Sequence, residues 1–405
     1  METGLTAENR LIEIAECSLP GDGVTRFPFT DEHSRANHLI AKWMRQAGME
    51  VWLDAAGTLI GRLAGQGARA SQTFILGSHQ DSVLNGGGFD GIMGVALACL
   101  AVEQAFAEGT EPDFSIEVHA YADEEGVRFP TALLGPRALV GSYDPQVFKM
   151  RDNDNVSLKD ALAAFGGKPG AIHSLKRNPD DTLGYLEMHI EQGPVLEREN
   201  LAVGVVTGIC GIERNTLTLH GKTGHAGTVP MQGRRDALVA AARIIFEIQK
   251  EAKKLEDLRA TTGTLSILPG AVNQIPEIVS FSLEIRSPDD AGRNGFRSFM
   301  IDYANSIAEE QGCRITVEQT YEQPAQDCDT RFRTLLEAAS TSIQGRSISL
   351  PSGATHDASA MAALCPIGML FVRCRDGVSH VPEEYASPED MGQAIEIAAR
   401  FLRTL

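Results

Sequence analysis

The chain has 405 residues, enough for two domains, and an ordinary composition with 43% hydrophobic and 22% charged residues. Its formal charge is −18, from 36 Lys and Arg against 54 Asp and Glu, which disfavours nucleic acids and anionic membranes as partners. The sequence has no secretory signal and no apolar run long enough to span a membrane, and its seven cysteines are scattered without a CxxC pair. We therefore expect a cytoplasmic protein with reduced thiols.

The first two hundred residues alternate between helical and strand patterns. Helical patterns cover 31–48, where Asp31 is the expected N-cap, and 91–109, where Gly109 is expected to end the helix. Short apolar runs predict buried strands at residues 73–79, 113–125 and 183–191. This alternation predicts an α/β fold in which a mostly parallel sheet is flanked by helices.

From about residue 210 the pattern changes. It predicts a strand, a helix, two strands, a helix and a strand, at residues 214–221, 234–255, 262–270, 276–287, 295–312 and 314–320. This is the order of a ferredoxin-like α+β unit, which folds independently. The earlier pattern then resumes and continues to a C-terminal helix. We therefore expect a small domain at 210–321, inserted into a larger domain formed by 1–209 and 322–405.

Potential metal ligands follow the predicted strands of the larger domain. The stretch GSHQDSVLNGGGFDG (77–91) has a histidine, two aspartates and clustered glycines directly after an apolar run. Further acids and histidines occur in ADEEG, EMHIEQGP and DGVSHVPEE. Because ligands gather at the carboxyl ends of strands in such sheets, we expect these side chains to meet. They are His79, Asp81, Asp90, Glu124, Glu125, His189 and His380.

Each of these groups alone has a simpler explanation. A lone histidine at a strand end is usually a hydrogen-bonded loop residue, adjacent acids usually form a solvated turn, and clustered glycines usually make turns. Their co-occurrence favours a metal site, because histidine with carboxylate is the ligand set expected for zinc, or for manganese or cobalt in a more oxygen-rich site.

The spacing also suggests roles within a two-metal site. Asp90 lies in the glycine-rich stretch, where a constrained backbone suits a carboxylate that bridges two ions ~3.5–4 Å apart. Glu124 and Glu125 point in different directions, so one could bind a metal while the other acts as general base. Asp81, two residues after His79, is placed to orient its imidazole.

Six motifs together closely resemble the amidase/hydantoinase–carbamoylase branch of the M20 metallopeptidase clan: GSHQDSVLNGGGFDG, YADEEGVRF, EMHIEQGPVLE, HAGTVPM, SGATHDA and DGVSHVPEE. The resemblance runs from the N-terminal helix to the C-terminal helix. That branch contains N-carbamoyl-L-amino acid, allantoate and ureidoglycolate amidohydrolases and β-ureidopropionase-like enzymes. EMHIEQGPVLE is particularly specific, since ordinary M20 peptidases tend to have an acid at the position of His189.

The resemblance implies two divalent metal ions per subunit, Zn²⁺ or alternatively Mn²⁺ or Co²⁺. The ligands that it implies are His79, Asp90 and His189 for one ion, and Asp90, Glu125 and His380 for the other. In this assignment Asp90 bridges the two ions, Glu124 is the general base, and Asp81 supports the catalytic site.

The resemblance further implies a homodimer formed through the inserted domain, in which the helix 234–255 and a strand meet their symmetry mates. His225 is expected to reach the active site of the partner subunit and to polarise the scissile carbonyl. Without the resemblance, His225 would be interpreted as a turn residue and Arg286 as part of a surface salt bridge. With it, Arg286 could bind a substrate carboxylate in a bidentate fork. The residues expected at the substrate are Gln192, Asn273, Arg286 and His356.

The leading hypothesis is hydrolysis of the ureido (N-carbamoyl) C–N bond of N-carbamoyl-L-amino acids or allantoate-like compounds, with release of ammonia and carbon dioxide. An M20-type exopeptidase or N-acyl-L-amino acid deacylase would use the same metals on an ordinary amide. A nucleotide-binding protein is disfavoured, because the glycines at 86–88 are not GxGxxG, no P-loop lysine follows, and nearby acids would repel phosphate. A binding-only member of the family is disfavoured by the intact ligand set. The expected partner is a small ureido substrate with a carboxylate.

Overall fold

The computed structural model describes residues 2–106 and 110–405. These fall into two compact units. Unit 1 comprises Met1–Thr207, Asp327–Leu350 and Thr355–Leu405, and unit 2 comprises Gly208–Gln326 and Pro351–Ala354. None of the described helices is both long and apolar enough to cross a lipid bilayer.

The elements are numbered along the whole chain. The helices are α1 (Glu2–Ala15), α2 (Asp31–Gln46), α3 (Ile92–Ala105), α4 (Leu134–Val140), α5 (Leu158–Phe165), α6 (Val195–Glu199), α7 (Ala237–Ala252), α8 (Asp290–Glu310), α9 (Thr330–Gln344), α10 (Asp357–Met361) and α11 (Pro388–Thr404). The strands are β1 (Glu50–Leu53), β2 (Leu59–Leu63), β3 (Arg69–His79), β4 (Phe114–Tyr121), β5 (Thr182–Ile190), β6 (Val203–Ile209), β7 (Gly211–His220), β8 (Arg259–Thr261), β9 (Leu265–Leu268), β10 (Ile278–Ser287), β11 (Arg314–Gln323), β12 (Gln326–Asp327), β13 (Ser349–Ser352) and β14 (Ile367–Val372).

The large sheet has the strand order β1-β2-β4-β3-β5-β14-β6-β12, and β13 also pairs with β6. Its centre is parallel, because β3 pairs in parallel with β4 and β5, and β5 with β14. The flanking pairs β1–β2, β2–β4 and β6–β14 are antiparallel. The predicted α/β fold is confirmed, and the four central strands of its large sheet are parallel. Those strands carry the polar groups described below.

Helix α3 forms the centre of the unit 1 core. It is apolar on every side, and it packs against β3 and β5 as well as against α1 and α11. A helix that is hydrophobic all round is expected to be buried in this way. Its described C-terminal end is capped by Phe106, and the predicted end at Gly109 lies outside the described residues.

The start of α2 differs by one residue from the sequence prediction. Thr30, and not Asp31, is the N-cap, and its hydroxyl accepts a hydrogen bond from the backbone N–H of His33 at 3.3 Å. Asp31 is the first helical residue, where its negative charge stabilises the helix by interacting with the positive end of the helix dipole.

Unit 2 has a smaller, antiparallel sheet with the order β11-β7-β10-β8, and β9 also pairs with β10. The helices α7 and α8 pack against alternate apolar residues of these strands, among them Leu217, Leu219 and Phe281. The first strand thus lies between the last and the third, as in the predicted ferredoxin-like arrangement. The strand predicted at 262–270 corresponds to β9, and the short strand β8 precedes the predicted range.

Candidate functional site

The histidines and acids singled out in unit 1 follow the four central strands of the large sheet. His79 ends β3, and His189 lies one residue before the end of β5. The acid pair follows β4, and His380 follows β14. Because these strands are parallel neighbours, their carboxyl ends meet at one edge of the sheet. Three groups of ligand atoms lie there, each within 4.8 Å of one another: His79, Asp90 and His189; His79, Glu124 and Glu125; and Asp90, Glu125 and His380.

Asp90 lies between His79 and His189 on one side and His380 on the other. Its Oδ1 is 2.9 Å from Nε2 of His189 and 3.7 Å from Nε2 of His79. Its Oδ2 is 3.1 Å from Nε2 of His380, which is itself 3.5 Å from Oε1 of Glu125. The two carboxylate oxygens therefore face different ligand sets, which is the arrangement required of a carboxylate that bridges two ions.

The residue after Asp90 must be glycine. Gly91 has φ +67°, a conformation that L side chains rarely adopt, and a Cβ there would overlap the imidazole of His79. Asp90 immediately precedes this turn into α3, so the backbone that presents its carboxylate is fixed by the helix start. The glycine-rich stretch thus fixes geometry in addition to forming a turn.

Asp81 supports two parts of the site. Nδ1 of His79 is 3.1 Å from the backbone carbonyl oxygen of Asp81 and 3.5 Å from its Oδ1, which leaves Nε2 of the ring directed towards Asp90. The two carboxylate oxygens of Asp81 also accept hydrogen bonds from the backbone N–H groups of Glu124 and Glu125, each at 3.1 Å. The second contact fixes the acid pair, and the sequence did not suggest it.

The electrostatics of the cluster favour the binding of cations. Burial raises the pKa of Glu124 well above its usual range, a shift that His79 opposes and Glu125 reinforces. Burial likewise raises the pKa of Glu125 to about 7. Crowded carboxylates of this kind become stable in the ionised form when divalent cations replace their protons. The donor set of imidazole and carboxylate fits zinc, manganese or cobalt.

Gln192 and His356 also belong to unit 1 and lie close to the ligand groups. Gln192 has φ +54°, and its Nε2 donates a hydrogen bond to Oδ2 of Asp90 at 3.0 Å. His356 is 1% exposed, and its ring packs against those of His189 and Phe371, with centroid distances of 4.5 and 5.8 Å. Burial lowers the pKa of His356 well below its usual range, so the ring is neutral.

Three of the residues expected at the substrate belong to unit 2. His225 and Asn273 are both exposed, and they lie on adjacent segments joined by a hydrogen bond from the N–H of Ala226 to the carbonyl oxygen of Asn273 at 2.9 Å. Nδ1 of His225 accepts from the N–H of Gly227 at 3.1 Å, which leaves Nε2–H as the donor of the neutral ring. Arg286 donates from Nε to Glu284 at 2.8 Å and from one terminal nitrogen to the carbonyl oxygen of Gly353 at 2.7 Å.

Two groups in DGVSHVPEE escaped the sequence interpretation. Oγ of Ser379 lies 2.7 Å from Oδ2 of Asp90 and 2.9 Å from Oε2 of Glu384, and Glu384 is 3% exposed. The only sign of Glu384 in the sequence was its position four residues after the candidate ligand His380, and acids in loops are usually solvated. Burial of Glu384 distinguishes it from its exposed neighbour Glu383.

Comparison with known proteins gives matches over almost the whole chain. Residues 69–404 match the model of peptidase family M20/M25/M40. The chain is 41% identical over 389 residues to the N-carbamoyl-L-amino acid amidohydrolase of Geobacillus stearothermophilus, with 96% of this chain and 95% of the relative covered. It is 35% identical over 427 residues to allantoate deiminase 2 of Glycine max, with 98% and 88% covered. The solved structure of a hydantoinase/carbamoylase family amidase from Burkholderia multivorans matches with a TM-score of 0.91 and 31% identity, over 99% and 97% of the two chains.

Proposed function

The chain belongs to peptidase family M20/M25/M40, and we propose that it hydrolyses the ureido (N-carbamoyl) C–N bond of N-carbamoyl-L-amino acids or allantoate-like compounds, releasing ammonia and carbon dioxide. The observation that carries the proposal is Asp90, whose two oxygens face separate histidine sets beside the acid pair Glu124 and Glu125. The names of the amidohydrolase and allantoate deiminase relatives support the ureido group as the substrate class.

We propose that His79, Asp90 and His189 hold one divalent ion and that Asp90, Glu125 and His380 hold a second. Zinc, manganese and cobalt all suit this mixture of imidazole and carboxylate. When bound, such a pair activates a water molecule and polarises the substrate carbonyl. Asp81 keeps His79 and the acid pair in place through the contacts described above.

Glu124 is the proposed general base. It accepts a proton from the attacking water and passes that proton to the leaving nitrogen. Its partly buried carboxylate lies in a group with His79 and Glu125, whereas Glu125 also belongs to the group around His380. This difference supports Glu125 as the ligand and Glu124 as the proton carrier.

Residues from both units are proposed to recognise the substrate. Arg286 offers a guanidinium for the substrate carboxylate, since its hydrogen bonds to Glu284 and Gly353 use only Nε and one of the two terminal nitrogens. Nε2–H of His225 can donate to the carbonyl oxygen as negative charge develops. Asn273, next to His225, and Gln192 and His356 in unit 1 complete the proposed set.

The proposed activity is tested by measuring ammonia release. Purified protein is stripped with a chelator, supplied with Zn²⁺, Mn²⁺ or Co²⁺ in turn, and assayed with several N-carbamoyl-L-amino acids and with allantoate. N-carbamoyl-D-amino acids serve as the stereochemical control, and dipeptides and N-acetyl-L-amino acids represent ordinary amides. We expect metal-dependent ammonia release from ureido compounds. Hydrolysis of the ordinary amides without ammonia release from any ureido compound would favour the exopeptidase or deacylase alternative.

We further propose a homodimer formed through unit 2. The helix α7 and the strands β8 and β9 line an apolar groove of about 700 Å³. Phe246 on α7 is 66% exposed and Leu265 on β9 is 50% exposed. Exposed apolar area and a sheet edge both favour association with another surface. Phe246→Glu should therefore shift the mass measured by light scattering towards the monomer, whereas Glu247→Lys, about 100° around the same helix and outside the groove lining, should not.

If His225 serves the partner's site, two inactive variants should complement each other. His225→Ala and Glu124→Ala proteins should each be nearly inactive. After subunit exchange, a heterodimer has one site with Glu124 from one chain and His225 from the other, and about half of the wild-type activity if the sites are independent. Absence of recovery, despite exchange demonstrated by mass spectrometry, would assign His225 to its own chain's site or exclude it from catalysis.

We also propose a cytoplasmic location. All seven cysteines are free in the structure, as expected for a reducing compartment.

A further inference from the structure

One buried carboxylate joins two segments that carry proposed metal ligands. Oε1 of Glu384 accepts hydrogen bonds from the backbone N–H groups of Phe89 and Asp90, at 2.9 and 2.8 Å. Oε2 lies 2.9 Å from Oγ of Ser379 and accepts a hydrogen bond from the N–H of His380 at 3.3 Å. Each oxygen of Glu384 therefore contacts one of the two segments.

The two segments come from distant parts of the chain. Phe89 and Asp90 lead into α3, and Ser379 and His380 follow β14. His380 has φ +63°, a conformation disfavoured for a residue with a side chain, and its own side chain is 49% exposed. Packing alone therefore holds His380 weakly, so its position depends on backbone hydrogen bonds such as the one to Glu384.

The space around Glu384 also fits a dedicated role. A Cβ at Gly87 would overlap both the carboxylate and the Cβ of Glu384, so glycine at this position lets the acid reach the loop. Glu383, one residue earlier in the chain, is exposed and its side chain takes no part in this network. The pair of adjacent glutamates thus provides a buried residue and a matched control.

We propose that Glu384 is a positioning residue that fixes His380 relative to the bridging carboxylate of Asp90 and thereby sets the affinity for the second metal ion. The inference rests on the proposed two-metal site. Removing the outer supports of metal ligands typically costs ~10–100-fold in metal affinity. The ion held by His79 and His189 should be affected less, because these ligands lie on β3 and β5.

The test is metal binding, measured without substrate. Apo wild type, Glu384→Gln and Glu383→Gln are titrated with Zn²⁺ and Co²⁺ against a competing chelator of known affinity. In glutamine an NH₂ group replaces one of the two carboxylate oxygens. This group cannot accept hydrogen bonds, so the donors of one segment lose their acceptor. We expect Glu384→Gln to bind its second ion ~10–100-fold more weakly than wild type and its first ion within about 3-fold. Glu383→Gln should match wild type for both ions.

Rescue by excess metal separates positioning from general damage. Hydrolytic activity of Glu384→Gln should rise with added metal towards the wild-type level, because the ligands themselves remain present. If Glu384→Gln does not fold, Glu384→Asp keeps the charge but is too short to reach both segments, and the same selective loss is expected. Unchanged binding of the second ion in folded variants, or equal weakening of both ions, would overturn the inference alone. Failure of wild type to bind two ions would overturn the proposed function and this inference with it.

Discussion

The two units present their polar side chains in opposite ways. In unit 1, His79, Asp90 and His189 are at most 6% exposed, and they lie where parallel strands end beside the apolar helix α3. In unit 2, His225 and Asn273 are exposed on neighbouring loop segments. Burial fixes ligand geometry but disfavours uncompensated charge, whereas exposure leaves donors accessible. The contrast fits the proposal that the buried group holds cations and the exposed group meets a substrate. Substitution of the proposed ligands in unit 1 should therefore change metal content, and substitution of His225, Asn273 or Arg286 in unit 2 should change only catalysis or substrate binding.

The largest effect is expected for Asp90→Ala. The substitution removes the carboxylate that both ligand sets share, so both ions should be lost. Activity should then fall by more than the ~10²–10⁴-fold that a general base alone contributes. Metal content is measured by elemental analysis after gel filtration, with Asp154→Ala, an exposed aspartate of unit 1, as the control. Retention of both ions by a folded Asp90→Ala protein would contradict the bridging role.

Glu124→Gln should separate chemistry from metal binding within unit 1. We expect turnover to fall by ~10²–10⁴-fold while metal content stays close to that of wild type, because glutamine cannot accept the proton. The neighbouring Glu125→Gln should instead lose the ion shared with Asp90 and His380. Metal titration and steady-state rates are compared for the two variants. Similar metal loss in both would mean that the roles of the adjacent acids are assigned wrongly.

Arg286→Lys tests whether unit 2 contributes to substrate binding. Lysine keeps the charge but loses the planar fork, so KM should rise about 10-fold, equivalent to about 1.4 kcal/mol, with kcat and metal content little changed. The control is Arg214→Lys, since Arg214 pairs with the same Glu284 at 2.7 Å and is half exposed. An equal rise in KM for the control would indicate that the ion pairs of Glu284, and not the guanidinium of Arg286, determine substrate binding.

The smallest effect is expected for the fold itself when the metals are removed. The core around α3 is built from apolar side chains and does not need the ligands to form. The chelated protein should therefore keep its far-UV circular dichroism while losing activity. Added metal at about 100 times its Kd should raise the free energy of unfolding by about 2.7 kcal/mol for each ion bound, detected as a higher Tm. Collapse of the circular dichroism on chelation would show that the buried cluster is required for folding.

The fold and the metal cluster could be predicted from the sequence because both depend on local patterns. Apolar runs identified the strands, and parallel strands bring their carboxyl ends to one edge of the sheet, where His79 and His189 meet. The N-cap of α2 was misplaced by one residue, because Thr30 and Asp31 are both capping residue types. A local pattern cannot decide between two such neighbours.

The rest of the site depends on contacts between distant residues. The hydrogen bond from Asp90 to Glu384 joins residues 294 positions apart, and the bonds from Glu124 and Glu125 to Asp81 join different strand ends. No periodicity signals such contacts. The roles of His225, Asn273 and Arg286 came only from the family resemblance, and they stay predictions.

The cysteines bear on how the protein withstands oxidation. Six of the seven thiols are buried, and burial raises the pKa of Cys99, Cys328 and Cys365 to about 12. Since the thiolate is the form that reacts with oxidants and captures soft metals, these groups stay inert at neutral pH. Preparations should therefore age slowly in air, and zinc or cobalt added to them should meet few competing sulfur ligands. Cys313, only partly buried in unit 2, is the thiol most open to alkylation and offers a natural attachment point for a fluorescent label.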